Sequence, residues 1–189
     1  MKRLILYPGM AALAAVMLAA CSGVRGSHQP AAGPEARHVA NPAQQLDRAN
    51  VLPLALDDQF QFRKTELFLN DPKVFRQTVD PMIIFERQRI NFGAVTAVDR
   101  QQRYGNYFKF FWRTNRKADI TVRLEYRQEK LGPYVQAKEV SYAGASGTIK
   151  TEFKVTGDDY IQDGRVVAWR ALLIENGKIV GLTQSYLWD

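Results

Sequence analysis

Residues 120–127 read Ile120-Thr121-Val122-Arg123-Leu124-Glu125-Tyr126-Arg127. Every even position is large and apolar and every odd one polar, and only a strand sends successive side chains to opposite sides. The stretch predicts a β-strand with one dry and one wet face. Ile149, Thr151, Phe153 and Val155, alternating with Lys150, Glu152 and Lys154, repeat the pattern. Working outward, residues 82–90, 94–99, 106–113 and 135–142 are further strand candidates. The turn signals Asn91-Phe92-Gly93, Tyr104-Gly105-Asn106 and Gly132-Pro133 fall between candidates. Near the C-terminus, Glu175-Asn176-Gly177-Lys178 predicts a two-residue type I′ hairpin, because both central residues must adopt positive φ. Pairing Glu175 with Lys178 sets Leu173 opposite Val180, Ala171 opposite Leu182, Trp169 opposite Gln184 and Val167 opposite Tyr186. That face is predicted to be the core side.

Seven or eight short strands without a long helix predict an all-β fold, an antiparallel β-sandwich; a small eight-stranded barrel fits the same pattern. In architecture, residues 82–189 resemble the immunoglobulin and fibronectin type III sandwiches, although no Cys pair or Cys-Trp-Cys spacing exists. Upstream, Phe60 and Phe62 alternate. Asp71-Pro72 then has the start pattern of a short helix with Val74, Phe75, Thr78 and Val79 inward, ended by Asp80-Pro81. Residues 54–81 are therefore an irregular lead-in.

The chain has 189 residues, 46% hydrophobic, 11% aromatic and 24% charged, with one cysteine and a net charge of +7. These proportions describe one soluble domain and exclude polytopic membrane, collagenous and disulfide-stapled chains. Lys2 and Arg3 precede an apolar run, residues 10–20, that ends in small side chains. The run is too short to span a hydrocarbon core as a helix, which needs about 20 residues, and reads as a cleaved signal peptide. Leu18-Ala19-Ala20-Cys21 resembles the lipobox of bacterial lipoproteins. The resemblance implies that Cys21 receives a diacylglycerol, that cleavage precedes it, and that its new amino group is acylated by a palmitate-type chain. Each buried CH₂ contributes about 0.8 kcal/mol, so two or three chains anchor firmly where one does not. In that family an Asp after the Cys often means retention at the inner membrane. Ser22 here implies the outer membrane, with the domain facing the periplasm.

Residues 1–20 are thus the expected signal, 21–53 a lipidated tether and 54–189 the β domain. Between Ser22 and Gln59 no aromatic residue occurs, while Pro30, Pro34, Pro42 and Pro53 punctuate Ala, Gln, Gly and Asn. Such composition offers too little apolar surface to offset the entropy of ordering. A disordered tether of that length spans roughly 30 Å.

The chemistry-bearing residues are sparse. His28 and His38 both fall in the expected tether, so no His is held beside a nucleophile, and Cys21 is consumed by lipidation. There is no His/Cys cluster for a metal, and Asp158-Asp159 with Asp163-Gly164 lacks the ligand spacing of a calcium loop. No Gly-rich nucleotide loop is present, and Glu125 and Glu129 lie among arginines they balance. No catalytic residue, metal or cofactor is predicted, and a non-catalytic role follows.

Charge is uneven. Residues 82–130 carry 11 basic and 5 acidic side chains, whereas the flanking segments are near balance. Arg87, Arg89, Arg100, Arg103, Lys109, Arg113, Arg116 and Lys117 either are ordinary outward positions or form one basic surface for anionic lipid, glycan or an acidic partner. Nucleic acid is disfavoured by the secretory signal. On the terminal hairpin, the face opposite the core side carries Val166, Leu172, Ile174, Ile179 and Leu187, a half-apolar surface. It is predicted to be a protein interface unless residues 54–81 fold over it. Trp112, Trp169 and Trp188 read as core and closure residues rather than a ligand cage. Together these readings predict a membrane-anchored envelope lipoprotein whose domain contacts another envelope protein. The alternative is a carrier or binder of anionic glycan or lipid using residues 82–130, with Arg113, Arg116 and Lys117 among the contacts.

Overall fold

A computed structural model describes residues 41–74 and 79–188. The signal segment, Cys21, both histidines, Phe75 and Thr78 lie outside the described residues. The fold is all-β and antiparallel, with sandwich-like packing. Strands β1 (Gln44–Leu46), β2 (Phe60–Asn70), β3 (Gly105–Gln128), β4 (Gln136–Thr156), β5 (Val166–Glu175) and β6 (Lys178–Gln184) are joined in one sheet. Helices α1 (Pro81–Asn91) and α2 (Ala97–Gln101) lie between β2 and β3, and α3 (Asp158–Asp163) lies between β4 and β5. The sheet order is β1-β4-β3-β5-β6, with β2 also paired to β3.

Two long strands organise everything. β3 pairs with β4 along both of its halves, with β2 along residues 105–114 and with β5 along residues 121–128. Segments 106–113 and 120–127, expected as separate strands, are one strand of 24 residues, and segments 135–142 and 149–155 belong to one of 21. The described residues hold six strands where seven or eight were expected: two pairs merge, residues 82–90 and 94–99 are not strands, and β1 and β2 come from segments read as tether and irregular lead-in. Between the halves the register shifts on both sides of Ala118. The Thr114 hydroxyl donates to the Arg116 carbonyl and accepts the Arg116 N–H, a local bond that turns the backbone without ending the ladder. Gly147, at φ 76°, stands opposite Thr114. Across this bend, Phe108 and Phe110 of the first half meet Trp169 of β5, with ring centroids 6.1 and 5.5 Å apart. The core lies between the two halves, joined by Trp112, Ile120, Val122, Leu124, Tyr126 and Phe153. The indole of buried Trp112 donates to the Thr151 hydroxyl, which also bonds the Tyr142 hydroxyl.

The excursion between β2 and β3 departs from the period-two reading. Residues 82–90 form helix α1, not a strand. Asp80 is its N-cap, its carboxylate accepting the Met82 N–H, and Pro81 occupies the first turn. The Asp80-Pro81 pair thus starts a helix instead of ending one. Residues 94–99 are not a strand either, because Thr96 and Asp99 form a reciprocal capping box that opens α2. After Asp71-Pro72 the described residues make only a turn, and Val74 and Val79 point to solvent rather than inward.

The terminal hairpin turns at Asn176 (φ 49°) and Gly177 (φ 72°) with Glu175 opposite Lys178, as expected. Beyond Ile174–Ile179 the register slips by one residue, so Leu173 faces Gly181, Ala171 faces Thr183 and Arg170 faces Gln184. A Cβ on Gly181 would sit 3.2 Å from both the Leu173 side chain and the Phe60 carbonyl, so the bulge places the one residue that fits there. Trp169, Ala171, Leu173 and Val180 do face the core, but Val167, Leu182 and Tyr186, expected there, are exposed, and the slip sets Leu182 opposite Leu172 instead.

Within the stretch read as tether, the described residues 41–53 are held to the sheet. β1 pairs with β4 from Gln44↔Glu139 to Leu46↔Ala137, and the Ala55 N–H bonds the Ile179 carbonyl. The segment is polar, yet backbone hydrogen bonds to open sheet edges hold it.

Candidate functional site

The first half of the sheet has an outward face built by alternation. Glu66 and Phe68 on β2, Tyr107 and Lys109 on β3, and Glu152 and Lys154 on β4 stand side by side, since Glu66 pairs with Lys109, Lys109 with Glu152 and Tyr107 with Lys154. Helix α1 lies over this face without burying any residue of its own. Polar ties hold it there. Arg103 donates to the Ile90 and Phe92 carbonyls at the helix C-terminus. Asn70 donates to the Asn91 side chain and the Arg103 carbonyl, and the Tyr107 hydroxyl donates to the same carbonyl. Lys109 Nζ lies 3.2 Å from Glu86 and 3.7 Å from Glu66, and Arg89 completes the pair with Glu86 at 2.8 Å.

Because the helix is held by long side chains, space remains beneath it. One cleft of about 370 Å³ is lined by Arg89, Arg103, Lys109 and Lys154, with Tyr107, Ile90 and Phe92 as its apolar surface and Glu152 as its one carboxylate; Phe108 and Phe153 border it, but their rings are buried in the core. A second, of about 230 Å³, adjoins it and shares Arg89, Ile90, Tyr107 and Lys109; Phe68 and Met82 add apolar walls, and Glu66 and Glu86 also line it. Arg103 and Lys154 have no carboxylate within ion-pair distance among the described residues. Lys154 Nζ stands 6.0 Å from the centroid of the Tyr107 ring.

Burial alone would raise the Glu86 carboxyl, but hydrogen bonds from Arg89 and Lys109 and their charges hold it below the ordinary value of 4.5. Glu152 is likewise opposed by burial yet lowered by Lys150 and the neighbouring cations. A hydrogen bond from Lys64 lowers Glu66. Burial pushes the Tyr107 hydroxyl up, against the pull of Arg103 and Arg89, so it stays a neutral donor. These acids are ionised and engaged at neutral pH. The free capacity of the cleft is cationic.

The basic residues singled out from sequence have separate fates. Arg89, Arg103 and Lys109 converge at the cleft. Arg116 is instead a latch: it forks onto Glu175 with two 2.6 Å hydrogen bonds, reaches Asp57 at 3.6 Å and covers the Phe60 ring at 4.7 Å. Arg113 and Lys117 are exposed near the bend, away from the cleft lining. Residues 82–130 therefore do not present one uniform basic surface. Lys154 joins the cleft from β4 and went unnoticed as a site residue; its only sequence signal was its place on the wet face of an alternating strand.

The hairpin's second face is covered. Leu172, Ile174 and Ile179 are buried as a cluster with Leu52 against them, a residue from just before the expected lead-in. Val166 packs partly buried on the main core, and Leu187 alone is well exposed, at 63%. Beside them lies a buried charge network. Glu125, 2% exposed, stands 2.6 Å from Arg170 and 3.5 Å from Arg123, which in turn binds Glu139 and the Asn50 carbonyl. Arg127 and Arg170 stack on Trp188 at 4.7 and 5.0 Å.

Large exposed apolar side chains gather elsewhere. Val79, Met82, Phe85, Phe92, Val95 and Val98, all in the α1–α2 excursion, are each more than half exposed, with Phe92 at 86% and Val95 at 81%. No helix among the described residues is long and apolar enough to cross a membrane. No family model, curated protein or solved structure matches the chain.

Proposed function

We propose that this chain is a non-catalytic envelope lipoprotein, anchored in the outer membrane through lipid on Cys21, whose periplasm-facing domain engages an envelope protein through the α1–α2 excursion. The observation that carries the interaction is the run of exposed apolar side chains from Val79 to Val98. Water around six such groups is a standing cost, and covering each releases about 1.5–3 kcal/mol where burial is complete. The hairpin face suggested by sequence has its own cover in Leu52 and is not the preferred surface. The lipobox pattern supports the anchor. A photo-crosslinking residue at Phe92 is expected to form a discrete adduct in cells, and one at Arg113 none. Equal labelling from both positions would remove the interaction reading. Detergent partitioning tests the anchor: Cys21→Ala is expected to move the protein into the aqueous phase, and an unchanged distribution would sink it.

A second reading, binding of an anionic glycan or lipid by residues of the basic stretch, is favoured by one specific observation. Arg89, Arg103 and Lys109 share a cleft with Lys154. Binding there is expected to weaken as ionic strength rises, whereas attachment through apolar residues persists.

A further inference from the structure

The two clefts beneath α1 differ in chemistry and adjoin. The larger one holds Arg103 and Lys154, neither with a carboxylate within 4 Å among the described residues; Glu152 also lines it but is paired with Lys150. The smaller one has Phe68, Met82, Ile90 and Tyr107 as its apolar walls, with Glu66 and Glu86 at its rim. Between them stand Arg89 and Lys109, already answered by Glu86 and Glu66, so the divide is a neutralised ion-pair cluster. A small inorganic anion would satisfy the first cleft and leave the second hydrated. A hydrocarbon would fill the second and desolvate the charged rim for nothing. We propose that the pair binds one single-chain anionic amphiphile, its phosphate or carboxylate head at Arg103 and Lys154 and its alkyl chain along Phe68, Met82 and Ile90. This rests on the anionic-ligand reading and names its ligand class.

The geometry suits such a ligand in three respects. The larger cleft alone falls in the range of about 300–1,000 Å³ typical of small-molecule sites, and its mostly polar lining suits a charged head. The Arg103 guanidinium is fixed by two carbonyls at the end of α1, so little entropy is lost when it receives an anion. The roof is a helix with no buried residue, attached by side chains, so it can yield as a chain slides beneath it.

The test uses the full chain carrying Cys21→Ala, which keeps the protein's own acyl groups out of the cleft, with dodecyl phosphate below its micellar concentration, inorganic phosphate and dodecanol as probes in calorimetry. One dodecyl phosphate is expected to bind per chain, at least tenfold tighter than either other probe. Lys154→Gln, at an exposed position, is expected to weaken it at least fivefold with unchanged circular dichroism and melting. Met82→Asp, at an exposed position on α1, is expected to weaken dodecyl phosphate and leave inorganic phosphate unaltered. Equal affinity for phosphate and dodecyl phosphate would overturn the amphiphile while retaining the anionic-ligand reading. Failure of both anions to bind would remove both. Equal affinity for dodecanol, or wild-type affinity in both variants, would also overturn the proposal.

Discussion

Glu125 shows how a single side chain changes its role with context. On the alternating stretch it occupies a wet-face position, yet it is almost fully buried between Arg123 and Arg170. A buried charge is tolerable only with counter-charges and hydrogen bonds, and removing one partner leaves the others desolvated and unanswered. Glu125→Ala is therefore expected to destabilise the domain by about 3 kcal/mol. Glu125→Gln, which keeps the shape and one acceptor, should cost less. Urea denaturation checks this, and coincident midpoints for wild type and Glu125→Ala would refute it. The burial was illegible in sequence because the cover comes from the chain around Asn50 and Leu52 and from Trp188, all distant along the polypeptide.

At the scale of elements, α1 is attached by polar side chains and buries no residue of its own. Its N-cap carboxylate makes Asp80→Ala cost about 1 kcal/mol of helix stability, read as faster amide exchange confined to residues 81–91. Its link to the sheet depends on pH. Glu86 titrates below its ordinary value in the folded protein, so its contribution is present above the unfolded value and is lost as pH falls through the folded one. Exchange in α1 is expected to accelerate below about pH 4 while β3 remains protected, and Glu86→Gln should remove that pH dependence. An α1 whose protection is flat from pH 7 to 3 would contradict it. The helix signals Asp80-Pro81 and Thr96 to Asp99 stood in the sequence. They were outweighed by apolar runs read as strands, though Met82-Ile83-Ile84-Phe85 is four consecutive apolar residues with no alternation at all.

For the molecule as a whole, the bend in the β3–β4 ladder is decisive, because it brings the two halves of one sheet face to face. Phe110 sits at that junction, in ring contact with Phe62, Phe108, Phe153 and Trp169. Phe110→Ala is expected to cost about 3–5 kcal/mol. Both halves should melt together, followed by the near-ultraviolet signals of Trp112 and Trp169; separate transitions would show that the halves fold independently.

By itself the sequence determined the all-β class, the alternation that selects the core residues and the Asn176-Gly177 turn. Each of these depends on neighbours within a few residues, where backbone geometry and side-chain period act directly. Only the tertiary structure decided that two pairs of strands are continuous, that the hairpin slips at Gly181, that the hairpin's apolar face is covered, and that Lys154 meets Arg89 and Arg103 beneath α1. Those outcomes depend on which surfaces compete for burial and which charges are brought within reach. That competition is settled by contacts between segments far apart along the chain, and no local pattern records it.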